Sequence, residues 1–273
     1  MKTIIGIDIG GSTTKIVGVR DGKIINPLKV KADDPVTSAY GAFGRFLAEN
    51  HMTVEQIDKV MFTGVGSSFI TSSGMYGVPI QKVDEFTAIG KGGCTITGLD
   101  RCIIVSMGTG TAFVRVKDGE AQHLGGTGVG GGTLLGLCGK MLGLHSVDHI
   151  MELAEQGDLS NVDLTIGDIS DVPLSNMSAE ITASNFGKVS DMATNGDIAL
   201  GVLNLVFQTV GMLAVFSTRE EGIKNVVLTG NLTKIPMAKK LFLQMEELYD
   251  IRFIIPENAD YATAIGAAML GIA

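Results

Sequence analysis

The sequence predicts an α/β protein built by duplication, with two lobes closing on a cleft that holds a polyphosphate. Three observations lead there. Ile4 to Val17 and Cys102 to Arg115 read as two copies of one unit: an apolar strand, a tight turn of Gly, Ser and Thr, and a second apolar strand. An Asp-Gly hairpin turn follows each copy, Asp21-Gly22 and Asp118-Gly119. Both halves then continue as alternating helices and strands, the pattern of layered α/β folds. Turns of this composition crowd backbone N–H groups and hydroxyls into a few residues, and their small side chains let a phosphate approach. Two of them at equivalent places imply a nucleotide gripped from both sides, and hence a nucleotide-dependent enzyme.

Each element has a local reason. Strands over 4–9 and 14–19 flank the first glycine turn, and Ile24 to Val30 supplies a third strand. From Pro35 to Asn50, Val36, Ala39, Phe43, Phe46 and Leu47 recur at helical spacing. Lys59 to Thr63 is a short strand ending in Gly64-Val65-Gly66-Ser67-Ser68. Val78 to Val83 is another, and Phe86 to Cys94 is helical. In the second half, strands over 102–107 and 112–117 flank the second turn. Helices are predicted at 133–142, 146–156, 182–192 and 196–221. A strand at 225–229, a Gly230-Asn231 turn, a helix at 235–249, a strand at 252–255 and a helix at 261–270 complete the chain. The expected division is an N-terminal lobe, 1–97, and a C-terminal lobe, 98–273.

Composition narrows the class of partner. The 273 residues are 45% hydrophobic and 18% charged, enough for a sizeable core, and the 37 glycines cluster in short runs that mark turns. A net charge of −8 without a Lys/Arg cluster argues against a nucleic-acid surface. Ile198 to Phe216 approaches membrane length, but Asn204, Gln208 and Thr209 interrupt it, so a buried helix is expected and no membrane partner. Cys94, Cys102 and Cys138 lack a CxxC spacing and read as packed thiols of a cytoplasmic protein. His145 and His149 have an i, i+4 spacing but only Asp148 beside them, too few ligands for zinc.

The chemistry gathers at the glycine segments. Asp8 ends a strand just before Gly10, Gly11, Ser12, Thr13 and Thr14, and Lys15 follows on the far side. A carboxylate there can hold Mg²⁺ against nucleotide phosphates, because hard cations choose oxygen ligands. The ammonium can neutralise a transferring phosphoryl group. The second turn has Ser106 where the first has Asp8, so it is expected to contact phosphates through Thr109 and backbone N–H groups without a metal. The glycine run 125–132 leads into a helix, an anion site by dipole and free N–H groups. It lacks the Gly-Lys-Ser/Thr of a Walker loop. Gly230 and Asn231 either lie on the adenine and ribose or only connect strand to helix. A phosphotransferase also needs a base for the acceptor hydroxyl. Asp84 and Glu85, at a strand-to-helix junction, are both candidates.

These residues resemble a known family. Asp8-x-Gly10-Gly11 with Lys15, Val83-Asp84-Glu85-Phe86, Gly108-Thr109-Gly110, the run Gly130 to Leu137, Leu153 to Asp158 and Ala183 to Gly187 are similar, in order, to the type II pantothenate kinases. The resemblance implies an actin-like (ribonuclease-H-like, hexokinase-like) ATPase fold, a homodimer, and Mg-ATP-dependent phosphorylation of pantothenate as the first step of coenzyme A synthesis. It assigns Glu85 as the base. It places ATP against the 8–15 loop, Thr109, and the helix start Gly131, Gly132, Thr133, Leu134 and Leu135. It places pantothenate among Glu85, Ser106, the 123–127 loop with His123 and Thr127, and the Ala183–Ser184 turn. One position departs: the family's usual substrate-contacting arginine, two residues before the glycine run, is His123 here. Arginine offers a permanent charge and forked donors to a carboxylate, which histidine does not. The carboxylate would then be bound otherwise, or the acceptor is a relative such as pantetheine. A sugar kinase and a dehydratase-activating ATPase share the fold class, but no Asn-Asp base motif or cluster-binding cysteine pattern is present.

Overall fold

The computed structural model describes residues 3–31, 33–170, 178–220 and 222–272. The N-terminal half runs β1 (Thr3–Ile9), β2 (Thr13–Arg20), β3 (Lys23–Lys31), α1 (Pro35–Glu49), β4 (Ile57–Thr63), β5 (Gly74–Met75), β6 (Val78–Lys82) and α2 (Glu85–Thr97). The C-terminal half begins with β7 (Cys102–Met107), β8 (Thr111–Lys117), β9 (Glu120–Thr127), α3 (Gly131–Leu142) and α4 (Val147–Ala154). It continues with β10 (Leu164–Thr165), α5 (Ile166–Ile169), β11 (Thr182–Ser184), α6 (Asn195–Arg219), β12 (Asn225–Thr229), α7 (Pro236–Tyr249), β13 (Arg252–Ile254) and α8 (Ala262–Leu270).

The duplication is visible in the sheet topology, with the short edge strand β5, antiparallel to β6, the one strand of the first sheet without a counterpart in the second. The first sheet has the order β3-β2-β1-β4-β6-β5 and the second β13-β12-β7-β8-β9. In each, an antiparallel meander of three strands lies beside two strands that join it in parallel. The apolar runs of β1 and β7 suit central strands covered on both faces.

Five layers result. α1 packs its Ala39, Ala42, Phe43 and Phe46 face on the outside of the first sheet. Between the sheets lie α2 and α8: Ala264, Ile265 and Ala268 cover the first sheet, and Ile89 covers Cys102, Ile104 and Val114 of the second. The C-terminal helix therefore belongs to the first sheet's core, and α2 reaches across to the second. Beyond the second sheet, α3, α4, α6 and α7 bury the largest cluster, centred on Val202, Val206, Phe207 and Val210. The long apolar segment is α6, largely buried in that cluster, with Thr194 and Asp197 forming its capping box.

Two expectations are corrected. The segment 120–127 forms β9, an eight-residue strand equivalent to β3, so His123 to Thr127 is strand and not loop. Its glycines permit pairing: a Cβ at Gly126 would stand 2.9 Å from the Thr111 carbonyl oxygen. The helix predicted at 182–192 does not form. The buried Asp163 carboxylate accepts from Thr182 Oγ1, Asn185 Nδ2, the Phe186 N–H and Asn204 Nδ2, at 2.6–3.3 Å. Those bonds hold the segment as strand and turn, because a helix would leave a buried carboxylate short of donors. Elsewhere the boundaries differ by a few residues. α3 starts at Gly131, α2 runs to Thr97, and residue 221 of the expected long helix lies outside the described residues.

Candidate active site

The cleft between the sheets is a cavity of about 480 Å³. The first glycine turn, the β7–β8 turn, the end of β9, the start of α2 and the Gly230-Asn231 turn all line it. A smaller cavity, about 260 Å³, lies apart between α7 and β13 among Ile235, Phe242, Leu243 and Phe253.

Each loop is closed by one backbone hydrogen bond, across four residues in the first and three in the second. In the first, the Gly10 N–H donates to the Thr13 carbonyl at 3.0 Å. In the second, the Gly108 N–H donates to the Gly110 carbonyl at 2.9 Å. Asp8 sits opposite Lys15 on β2 and Thr63 on β4. Ser106 holds the equivalent place, opposite Ala112 on β8 and Thr229 on β12. The cleft is therefore acidic on one side and hydroxyl-lined on the other.

Electrostatics concentrate at Asp8. Its carboxylate is 3.9 Å from Lys15 Nζ, and both residues are buried. Burial pushes the Asp8 carboxyl above the usual carboxylate range and Lys15 opposes that. Glu85 is also raised, first by burial, then by the negative charges of Asp8 and Asp84, with Lys15 opposing. The two candidate bases differ in situation. Asp84 is the N-cap of α2, accepting from the Thr87 N–H at 2.8 Å and its hydroxyl at 2.9 Å. Glu85, half-buried, is the one that lines the cleft.

The donor set fits a hard divalent cation. Mg²⁺ is held by one or two carboxylates together with water and phosphate oxygens, not by a protein cage. Asp8 is a buried carboxylate that a single distant ammonium compensates, and the buried Thr63 hydroxyl across from it has no partner among the described residues. Among those residues no three His, Cys, Asp or Glu gather elsewhere, and Cys94, Cys102 and Cys138 are free thiols, Cys138 raised to about 11 by burial.

The other expected residues fall into three groups. Gly10, Gly11, Ser12, Thr13, Ser106, Thr109, His123, Thr127, Gly230 and Asn231 line the cleft. At the start of α3, the Gly131 and Gly132 N–H groups donate to the Gly108 and Thr109 carbonyls at 2.9 and 2.8 Å. This end of the helix braces the second loop. Thr133 Oγ1 accepts from the Gly130 N–H, Leu134 is in the core and Leu135 packs against it. Thr14 is buried in β2, and Ala183 and Ser184 lie on β11; none of these three lines the cleft.

Contacts between the lobes close the cleft. Asn231 Nδ2 donates to Thr13 Oγ1 at 3.2 Å, and a Cβ at Gly11 would stand 3.2 Å from Thr109 Oγ1. Thr111, the last residue of the expected second clamp, lines the cleft, as do Phe86, Val65 and Thr263, for which the sequence suggested no role. Phe86 adjoins Glu85 and Val65 lies between Gly64 and Gly66, while nothing beside Thr263 marked it.

A family profile described as Fumble matches residues 101–250. The chain belongs to the Fumble family. A Bacillus cereus (strain ATCC 10987 / NRS 248) protein named "Type II pantothenate kinase" is 27% identical over 251 residues, covering 85% of this chain and 83% of that one. Two solved structures show the fold. The Clostridium difficile activator of 2-hydroxyisocaproyl-CoA dehydratase, with bound ADPNP, superposes with a TM-score of 0.70 at 17% identity, covering 98% of this chain and 93% of that one. A ROK family glucokinase from Streptomyces griseus, with glucose and AMPPNP, gives 0.62 at 13% identity, covering 98% of each. This Fumble-family chain has the actin-like ATPase fold.

Proposed function

We propose that this protein transfers the γ-phosphoryl group of ATP to the hydroxyl of pantothenate or a close relative, the step that opens coenzyme A synthesis. The observation that carries this reading is the placement of Glu85. It faces the cleft that Asp8, Lys15 and the two glycine turns line, and its carboxyl feels the charge of Asp8. The name of the Bacillus cereus relative supports the acceptor.

In this mechanism the phosphates lie between the first turn and the β7–β8 turn, whose Thr109 and N–H groups hold them from the second lobe. Lys15 Nζ neutralises charge on the transferring phosphoryl group. Asp8 with the Thr63 hydroxyl would hold Mg²⁺, which supplies charge neutralisation on the phosphate oxygens when bound. Glu85 accepts the proton of the acceptor hydroxyl, and its raised proton affinity suits that role. The Thr13–Asn231 bond keeps the lobes together around the reacting groups.

The pH dependence follows from the sign of these shifts. Glu85 acts ionised, so kcat rises with pH through a midpoint above that of an ordinary glutamate. Asp84→Asn keeps the α2 cap, since asparagine caps as well as aspartate, but removes one of the charges that raise Glu85. The acid limb of its kcat profile is expected to move to lower pH, with the plateau little changed.

The test is ADP release by purified protein with pantothenate, pantetheine and a panel of sugars, repeated with Glu85→Gln. Turnover that depends on a pantothenate-type acceptor and falls on the order of a hundredfold in the variant supports the reading. Turnover indifferent to acceptor, or equal in both proteins, refutes it.

A further inference from the structure

We infer that the acceptor side of this cleft is built for an uncharged acceptor. His123, laid flat on Phe86, reads the end of the acceptor distal to the reacting hydroxyl and favours an amide of pantothenic acid over the free acid. The inference rests on the proposed kinase activity and sharpens its substrate class.

The geometry is a stack. The rings of Phe86 and His123 are 3.7 Å apart between centroids and 11° from parallel. Phe86 is the second residue of α2, directly after Glu85, and His123 lies on β9 opposite Val114. Both line the cleft beside Glu85. The stack thus ties the helix that carries the base to the sheet that forms the facing wall. Because Phe86 follows Glu85 directly and stacks on His123, an acceptor with its hydroxyl at Glu85 that runs toward the second sheet passes along this aromatic pair.

Charge sets the preference. Among the described residues that line the cleft, Asp8 and Glu85 are acids and Lys15 is the one lysine or arginine. Lys15 is committed to Asp8, at 3.9 Å, on the phosphate side. A carboxylate at the far end of the acceptor would enter an acidic cleft with no permanent cation to meet it, and would lose hydration there. An amide loses far less. The imidazole gives one face to Phe86, so its edge nitrogens and the aromatic surface are what it offers a ligand.

The experiment measures kcat/KM for pantetheine and for pantothenate with saturating Mg-ATP, in the wild-type protein, His123→Arg and His123→Gln. The wild type is expected to prefer pantetheine by about tenfold or more, mainly through KM. His123→Arg should move the ratio toward pantothenate by about tenfold, because a forked permanent cation then meets the carboxylate. His123→Gln, uncharged, should keep the wild-type preference. The inference is overturned if the active wild type prefers pantothenate, or if His123→Arg leaves the ratio unchanged. It is also overturned if His123→Gln shifts the ratio as arginine does. If the wild type turns over neither compound, the kinase reading itself fails, an outcome distinct from activity with the opposite preference.

Discussion

Asp8→Asn is expected to lower kcat on the order of a thousandfold while the protein stays folded. The carboxylate lies at the bottom of the cleft between Lys15 and Thr63 and is the acid nearest the first phosphate turn. Asparagine fills the same volume but carries no charge, so the hard cation loses its anchor and the phosphoryl group loses its counter-charge. The effect is separable from that of the base. The charge of Asp8 raises Glu85, so its removal leaves Glu85 more readily ionised. A variant with a better-ionised base and a much lower kcat places Asp8 on the phosphate side of the reaction. Rapid-quench measurement of single-turnover phosphoryl transfer, with circular dichroism as a fold control, checks this. A loss of less than tenfold would remove Asp8 from the mechanism.

The second large effect is on stability. α2 and α8 cross between the sheets with their backbones in contact, and the contact depends on glycine. A Cβ at Gly266 would stand 1.8 Å from the Ala88 carbonyl oxygen, and one at Gly92 would stand 1.8 Å from the Ala262 carbonyl oxygen. Neither neighbour is a side chain that can rotate away, so a methyl group forces the helices apart. Gly266→Ala is expected to destabilise the protein by about 3 kcal/mol or more, read as a lower urea midpoint. It should also lower kcat in the protein that remains folded, because α2 carries Glu85 at its first position. Gly44→Ala in α1 is the control. A Cβ there meets nothing within 4 Å, so the same change should stabilise by about 1 kcal/mol. Equal effects at the two sites would show that the α2–α8 crossing does not depend on glycine.

Much of this architecture was legible in the chain because it is locally encoded. β12 falls on 225–229 as expected, since a short apolar run between turn residues has one reading. The repeated strand-turn-strand segments correctly announced two sheets that share one five-strand pattern, to which the first adds β5. What the sequence hid was long-range. β9 is glycine-rich and carries little strand propensity, so its identity depends on pairing with β8. The turn at 182–187 takes its shape from Asp163, a partner on a different segment. The site divides in the same way. Asp8 and Lys15 could be picked out by type and spacing, whereas type and spacing left Glu85 level with Asp84 until the family resemblance assigned it. The Phe86–His123 stack could not be picked out, because it joins a helix to a strand across the cleft. Nor did the glycine run disclose that the α3 N–H groups at 131 and 132 are taken up by the second loop.

Phosphorus NMR of the protein with Mg-ATP and pantothenate or pantetheine tests the central claim most directly. The account predicts that a phosphate monoester on the acceptor hydroxyl appears in step with ADP, and that both slow together in Glu85→Gln. ADP and inorganic phosphate accumulating while the acceptor stays unmodified would contradict it.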